Sequence, residues 1–203
     1  MYKFKKRIYE LISKPIWWFK KSIKLYFNFI FPNLNLLITK RVTFINKPTC
    51  NQKTLLTGLG HIYIGNKCTL GYKPGGFHRG GCIELQARYK EAVIRIGDNI
   101  ATNNNIFICA ANNIEIGANT LIGQNVTIMD FEAHGIHPDK RSKIGEVGKV
   151  KISKNVWIGN NVTILKNSSI GVNTIVAAGA VVSGFFPANV IIGGVPAKII
   201  KKL

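Results

Sequence analysis

The stretch that decides the fold runs from residue 152 to residue 175 and reads ISKNVW, IGNNVT, ILKNSS and IGVNTI, four consecutive six-residue units. Each unit begins with isoleucine and has asparagine at its fourth position. The same pattern occurs upstream as IGDNIA (96–101) and as IGANTL and IGQNVT (116–127), and the register slips by two residues between these two blocks, at Asn112 and Asn113. A short period of this kind indicates a repeat architecture.

The composition of each repeat position indicates what the repeat builds. The first position is aliphatic and the fifth is small or β-branched, so that each short strand directs two side chains inward. The fourth position is Asn99, Asn105, Asn119, Asn125, Asn155, Asn161, Asn167 or Asn173. Asparagine tolerates positive φ better than any residue but glycine, so we expect a sharp corner in every unit. Three strands and three corners close a triangular coil, and stacked coils form a parallel β-solenoid.

Composition and charge limit the classes of function. The chain has 203 residues, 46% of them hydrophobic, which is enough to form a packed core. Its 28 Lys and Arg residues against 9 acidic residues give a net charge of +19 and predict a negatively charged neighbour. Membrane lipid and a phosphorylated substrate are the candidates; no nucleic-acid partner is expected, because no recognition motif accompanies the charge. The four scattered cysteines indicate reduced thiols in a cytoplasmic protein, and no secretory signal is expected.

Residues 1–47 form a basic segment of a different character from the rest of the chain. Apolar residues recur at helical spacing at positions 8, 11, 12, 19, 23 and 27, with lysines between them. This pattern predicts a helix, and residues 1–40 could contact an anionic membrane surface peripherally. The alternative is a helical cap packed on the main domain or on a neighbouring subunit. The least charged stretch, residues 25–39, is too short and too polar to span a membrane.

The array of [LIV]-Gly-x-Asn units resembles the repeats of the hexapeptide-repeat acyltransferases, in their xenobiotic, galactoside and maltose O-acetyltransferase-like branch. The resemblance implies an all-β solenoid, a left-handed parallel β-helix, which we place at residues 48–203 with an N-terminal helical segment and a short C-terminal tail. The left hand follows from the resemblance alone, since parallel crossovers are otherwise right-handed. Two shorter motifs agree with this branch: VWIG (156–159) and GGVPAKII (193–200).

The segment DFEAHGIHPDKR (130–141) interrupts the repeats and resembles the extruded active-site loop of this family, here about 129–151. Glu132 and His137 differ from the residues usual at their positions in the family. The resemblance implies that His134 is the general base, for which a neutral imidazole is well suited at neutral pH. Asp130, Glu132 or a backbone carbonyl would orient the ring. Cys109 falls at a repeat position and is interpreted as a packing residue.

The resemblance also implies acetyl-CoA as co-substrate, bound in a groove between solenoids of a homotrimer, and no metal is expected. The cofactor-binding candidates are Trp157, Gly159, Lys166, Ala177, Ala178 and Lys198. The small residues would lie beside pantetheine, and the lysines would contact the CoA phosphates. The aromatic side chain would contact acceptor or cofactor, or simply pack.

These observations predict an acetyl-CoA-dependent O-acetyltransferase that modifies a sugar hydroxyl in bacterial surface polysaccharide (capsule or lipopolysaccharide) biosynthesis. The carbohydrate acceptor could be lipid-linked, with the enzyme at the inner face of the cytoplasmic membrane. Three alternatives stay open: N-acetylation of an amino or nucleotide-linked sugar, a non-catalytic solenoid scaffold, and a zinc-dependent solenoid carbonic anhydrase. The last is disfavoured because His134 and His137 are only three residues apart. The Gly- and Pro-rich stretch 70–93 is expected near the acceptor site.

Overall fold

The computed structural model describes residues 15, 18–20 and 22–203. Three parallel sheets form the faces of a prism, and successive strands of the chain move from one face to the next. In sheet order, sheet A consists of β1 (Val42–Phe44), β4 (His61–Ile64), β7 (Val93–Ile96), β10 (Asn113–Ile116), β13 (Lys149–Ile152), β16 (Ser168–Ile170) and β19 (Phe185–Phe186). Sheet B consists of β2 (Thr49–Cys50), β5 (Thr69–Leu70), β8 (Ala101–Thr102), β11 (Leu121–Ile122), β14 (Trp157–Ile158), β17 (Ile175–Val176), β20 (Val190–Gly194) and β21 (Ala197–Lys202). Sheet C consists of β18 (Val181–Val182), β15 (Thr163–Ile164), β12 (Thr127–Met129), β9 (Ile106–Ala110), β6 (Ile83–Ala87) and β3 (Thr54–Gly58).

The asparagine column forms the corners, as predicted. All eight predicted asparagines have φ between 55° and 61°, in the left-handed region, and Asn189 adds a ninth at 58°. Their side chains stack between coils: Asn155 donates to Asn173 at 2.8 Å, and Asn173 donates to Asn189 at 2.7 Å. The corners are therefore set by local backbone preference and held by hydrogen-bonded ladders between coils.

The interior is filled by the first and fifth positions of the repeats. Ile122, Ile158 and Ile164 are at most 3% exposed, and the fifth-position residues of the same three units are buried with them. Glycine in the repeat allows the corners to stack closely, because a Cβ on Gly117 would lie 2.6 Å from the backbone nitrogen of Lys154 in the next coil. The predicted left-handed parallel β-helix is confirmed.

The N-terminal helical residues close the open end of the prism. Residues 18–20 and 22–25 are α-helical and are followed by a π turn (Tyr26–Ile30), a 3₁₀ turn (Phe31–Asn33) and a short α-helix (Leu34–Ile38). Phe29 is fully buried, and Asn33 donates to the carbonyl of Thr54 at 2.7 Å and accepts from the amide of Leu56 at 2.6 Å. The inner face of the helical residues therefore packs on the main domain as a cap, which is one of the two alternatives that the sequence left open.

The outer face of the same residues is apolar. Phe19, Phe27, Phe31 and Ile38 are each more than 60% exposed. The rest of the predicted N-terminal helix, residues 1–14, 16, 17 and 21, lies outside the described residues. No helix among the residues described is long and apolar enough to cross a membrane.

Two details differ from the sequence prediction. The first strand begins at Val42, so the solenoid starts inside the segment assigned to the N-terminal part. The C-terminal tail is a strand, β21, which pairs antiparallel with β20 and completes sheet B. Glycine at 193 and 194 and proline at 196 allow this reversal, which short-range repeat patterns do not reveal.

Candidate active site

The loop between β12 and β13 leaves the prism at the corner where sheet C meets sheet A. Its two arms pair with each other: Glu132 N–H donates to the carbonyl of Glu146 at 2.9 Å, and Gly145 N–H donates to the carbonyl of Glu132 at 3.0 Å. Gly135 N–H donates to the carbonyl of Lys143 at 2.9 Å nearer the tip. The predicted loop is therefore a folded hairpin-like projection, which can hold a side chain in a defined position.

His134 lies on this projection with its side chain exposed. Its Nδ1 is 2.7 Å from the backbone carbonyl of Arg141, and a carbonyl oxygen can only accept. In the neutral imidazole, Nδ1 therefore carries the proton, and Nε2 presents its lone pair to solvent. Of the three orienting groups that the sequence left open, the structure has the backbone carbonyl.

Asp130 is fully buried at the base of the loop. Its carboxylate accepts from the backbone N–H groups of Ala111 at 2.6 Å and Asn112 at 2.9 Å. Burial raises the pKa of Asp130, and these hydrogen bonds act in the opposite direction. These N–H groups lie at and beside Asn112, where the repeat slips, so the carboxylate holds the enlarged corner of the preceding coil instead of orienting His134.

Glu132, like Asp130, binds a group other than the His134 ring. Its Oε1 is 3.3 Å from Nζ of Lys166, which also forms an ion pair with Glu146 on the returning arm. The Lys166 hydrogen bond holds the pKa of Glu146 below its usual value, and the same contact raises the pKa of Lys166. Lys166 therefore ties the loop to the prism. Because both of its ion pairs are with the loop, this arrangement does not support its predicted contact with a CoA phosphate.

A groove of about 300 Å³ runs along the outer face of sheet B toward its corner with sheet C. Trp157, 55% exposed, lies on one wall beside Leu121, its neighbour in the adjacent strand. Asn103 and Asn160 line the corner side. The side-chain oxygens of both asparagines accept from backbone N–H groups, at 2.8 and 2.9 Å, which leaves their amide NH₂ groups as donors.

The remaining predicted cofactor residues continue this edge of the prism. Gly159 and Ala177 stand in one column, with Gly159 N–H bound to the carbonyl at 176 and Ala177 N–H bound to the carbonyl of Ile192. Ala178 is exposed at the next position, and Lys198 is exposed on β21 opposite Gly193. Five of the six predicted residues therefore lie along sheet B and its corner, and Lys166 alone lies elsewhere.

The projecting loop that carries His134 and this groove lie on opposite edges of sheet C. About five residues of extended chain separate Asn125 at one corner from Asp130 at the other, which corresponds to roughly 16 Å. His134 and the predicted cofactor residues are thus not adjacent within one chain.

Three further side chains of a type that can act in catalysis, those of His137, His61 and Cys109, have surroundings that indicate structural roles. His137 caps the short 3₁₀ helix Pro138–Lys140 and lies 3.5 Å from Asp139. His61 stacks on Tyr63 at 4.7 Å. Cys109 is buried, and burial raises its pKa to about 11, so its thiol is protonated at neutral pH. Within the described part of the chain, no three His, Cys, Asp or Glu side chains gather as a metal site.

Sequence reasoning missed the residues that hold the insertion between β5 and β6, residues 71–82. Buried Asn104 donates to the carbonyls of Tyr72 and Gly76 at 2.8 and 2.9 Å, and buried Gln52 donates to the carbonyl of Phe77 at 2.7 Å. Tyr72 also lines the sheet B groove, and the expected position of this stretch near the acceptor site stays a prediction. The consecutive asparagines at 103–105, which depart from one asparagine per unit, were the available signal.

Comparisons with known proteins agree with this architecture. Residues 149–184 match the family model described as bacterial transferase hexapeptide (six repeats). The chain is 37% identical over 152 residues to WbbJ of Escherichia coli K12, covering 69% of this chain and 75% of that protein, whose name assigns it provisionally to O-acetyl transfer in lipopolysaccharide biosynthesis. It is 38% identical over 112 residues to the galactoside O-acetyltransferase of Escherichia coli K12, covering 54% of each chain.

Solved structures agree as well. A hexapeptide-repeat-containing acetyltransferase of Vibrio cholerae matches at 33% identity with a TM-score of 0.52, over 54% of this chain and 62% of that one. A galactoside acetyltransferase in complex with coenzyme A has a TM-score of 0.53 at 23% identity, over 90% of this chain and 78% of that one, and shows the common fold.

Proposed function

Since the chain belongs to the hexapeptide-repeat acyltransferases, we propose that it transfers the acetyl group of acetyl-CoA to a hydroxyl of a carbohydrate, with His134 as general base. The observation that carries the proposal is the hydrogen bond from His134 Nδ1 to the Arg141 carbonyl, which leaves Nε2 free to take a proton. The relatives named above supply the reaction class, and their names support a surface-glycan sugar as acceptor.

The sheet B edge fits acetyl-CoA, which supplies an activated acetyl thioester when bound. The column of Gly159 and Ala177 lets a narrow pantetheine arm approach the backbone, and Trp157 offers an apolar wall. Lys198, exposed at the end of the same edge, would contact a phosphate of the coenzyme. Lys166 is left out of this set because its charge is already paired with Glu132 and Glu146.

His134 Nε2 would accept the proton of the sugar hydroxyl as the oxygen attacks the acetyl carbonyl. The new C–O bond forms, the C–S bond breaks, and the imidazolium returns its proton to the departing sulfur. An amide NH₂ of Asn103 or Asn160 would donate to the carbonyl oxygen as negative charge develops there. The carbonyl of Arg141 keeps the ring in the tautomer that this sequence of proton transfers needs.

A homotrimer with sites between subunits would bring the two halves together. In one chain the loop and the groove lie on opposite edges of sheet C, so the loop of one copy would face the groove of the next. Mixing two inactive variants, His134→Ala and Ala177→Trp, tests this arrangement: mixed trimers then contain some sites with an intact loop and an intact groove. Recovery of activity is expected, and its absence after confirmed subunit exchange would contradict shared sites.

Incubation with acetyl-CoA and a sugar panel tests the reaction, with release of free thiol as the measure. Mild base removes an ester-linked acetyl group and leaves an amide, so product mass before and after base separates O-acetylation from N-acetylation of an amino sugar. A scaffold without catalytic activity would release no thiol beyond hydrolysis with any acceptor.

The apolar outer face of the N-terminal cap supports a peripheral location at the cytoplasmic membrane and a lipid-linked acceptor.

A further inference from the structure

A second cavity, of about 490 Å³, lies between the N-terminal helical residues and the first coil. Its lining combines three separate parts of the chain: the helical residues, the segment 47–51, and the insertion between β5 and β6. Each part contributes lysine, and together they place Lys20, Lys24, Lys47 and Lys73 around one space. We call this space the lysine cleft.

In the described part of the chain, no carboxylate is paired with any of the four lysines. Lys24, half-buried, has only a long contact of 3.4 Å from Nζ to the side-chain oxygen of Asn51. Burial and then the charge of Lys73 lower the pKa of Lys24. Converging cations of this kind repel one another, and a bound anion would relieve that repulsion.

From this convergence we propose that the lysine cleft binds a phosphate or diphosphate group. Several ammonium groups around one space suit a multiply charged phosphate, for which lysine is a common ligand. The cleft lies at the capped end of the prism and includes none of the residues assigned above to acetyl transfer. It is therefore a separate site, and its test requires no acetyl transfer.

The phosphate could belong to a lipid headgroup or to a soluble diphosphate. The surroundings favour the lipid, because Phe19, Ile23 and Phe27 are exposed on the helical residues that also supply Lys20 and Lys24. Aromatic and aliphatic side chains beside lysines are the usual composition of a helix that rests in a membrane interface. A headgroup in the cleft and apolar side chains in the acyl layer would be mutually compatible.

The test uses the full-length protein, K24A/K73A, and the control K90A/K154A, which removes the same charge from exposed positions outside the cleft. Pyrophosphate titrated calorimetrically reports the soluble arm. Co-sedimentation with phosphatidylcholine vesicles, with and without phosphatidylglycerol, reports the lipid arm. At about 1 kcal/mol for each lysine, the loss of two should weaken binding roughly thirtyfold in K24A/K73A and leave the control within about threefold of the parent.

The arms identify the source of the phosphate. Loss of vesicle binding in K24A/K73A supports a lipid headgroup, and F19S/F27S should then weaken vesicle binding while pyrophosphate binding stays as in the parent. Loss of pyrophosphate binding alone supports a soluble ligand. The proposal is overturned if the parent binds neither probe, or if K24A/K73A and K90A/K154A weaken binding equally, which would indicate only general positive charge. Circular dichroism of each variant confirms that the fold is retained.

Discussion

Replacing Asp130 by alanine tests whether this carboxylate is structural or catalytic. The side chain is fully buried and accepts the N–H groups of Ala111 and Asn112 at 2.6 and 2.9 Å. A buried donor left without an acceptor costs about 1–3 kcal/mol, and two such donors give roughly 2–6 kcal/mol. Removing a carboxylate whose burial is unfavourable returns part of this cost. We therefore expect a net loss of about 3 kcal/mol.

For a chain of this size, that loss lowers the melting temperature by roughly 6–12 °C. Thermal and urea unfolding of the parent, Asp130→Ala and Asp130→Asn measure it, with Asp139→Ala as the matched control. The Asp139 side chain is 88% exposed on the same loop, so its removal should change stability by less than about 0.5 kcal/mol. Asp130→Asn retains one acceptor oxygen and should fall between the two.

The kinetic result decides the role. Acetyl transfer per folded molecule of Asp130→Ala, measured well below its melting temperature, should stay within about tenfold of the parent. If the variant instead melted like Asp139→Ala while kcat fell by a hundredfold or more, the carboxylate would act in the chemistry. The assignment of Asp130 to the corner of the preceding coil would then be wrong.

Three further predictions concern the ion pairs of Lys166 with the loop, the asparagine corners and the thiols. Lys166→Met should lower kcat about tenfold, because the loop loses its ion pairs with the prism, while KM for acetyl-CoA stays unchanged. Lys143→Met is the control. A raised KM at unchanged kcat would instead make Lys166 a phosphate ligand. Asn173→Ala should destabilise the fold by about 2 kcal/mol and Asn173→Gly by about 1, because both lose the two exposed ladder bonds and alanine adds the cost of φ 61°. Equal losses in urea unfolding would refute the corner argument. In the native protein at neutral pH, iodoacetamide followed by mass spectrometry should modify the half-exposed Cys82 and spare Cys50 and Cys109, whose pKa values burial raises to about 12 and about 11; early labelling of Cys109 would contradict its packing role.

The repeats were readable from sequence because each unit encodes its own corner. Asparagine at the fourth position predicts positive φ locally, and aliphatic residues at the first position predict an inward side chain, with no long-range information needed. The loop that carries His134 could be located because it interrupts a regular array, and the role predicted for His134 came from the family resemblance. The partners of the loop could not, since the contact between Lys166 and Glu132 joins residues 34 positions apart in different coils.

The same limit explains the lysine cleft and the role of Asp130. Lys24 and Lys73 are far apart in sequence and meet only because the cap folds back over the first coil. Asp130 ends a regular strand, which is also where a catalytic aspartate of the loop would stand in the sequence. Only the N–H groups that it accepts at the slipped corner of the preceding coil distinguish a structural role from a catalytic one. Local patterns fix local backbone, whereas ion pairs and clefts depend on how coils stack.

The most direct test of the central claim is kcat for acetyl transfer in His134→Ala, compared with His137→Ala on the same loop. Loss of the general base should reduce kcat by about 10²–10⁴-fold, whereas the second variant, which loses only a cap of the 3₁₀ turn, should stay within a few-fold of the parent. Full turnover by His134→Ala, or an equal loss in both variants, would contradict the assignment of proton transfer to Nε2 of His134.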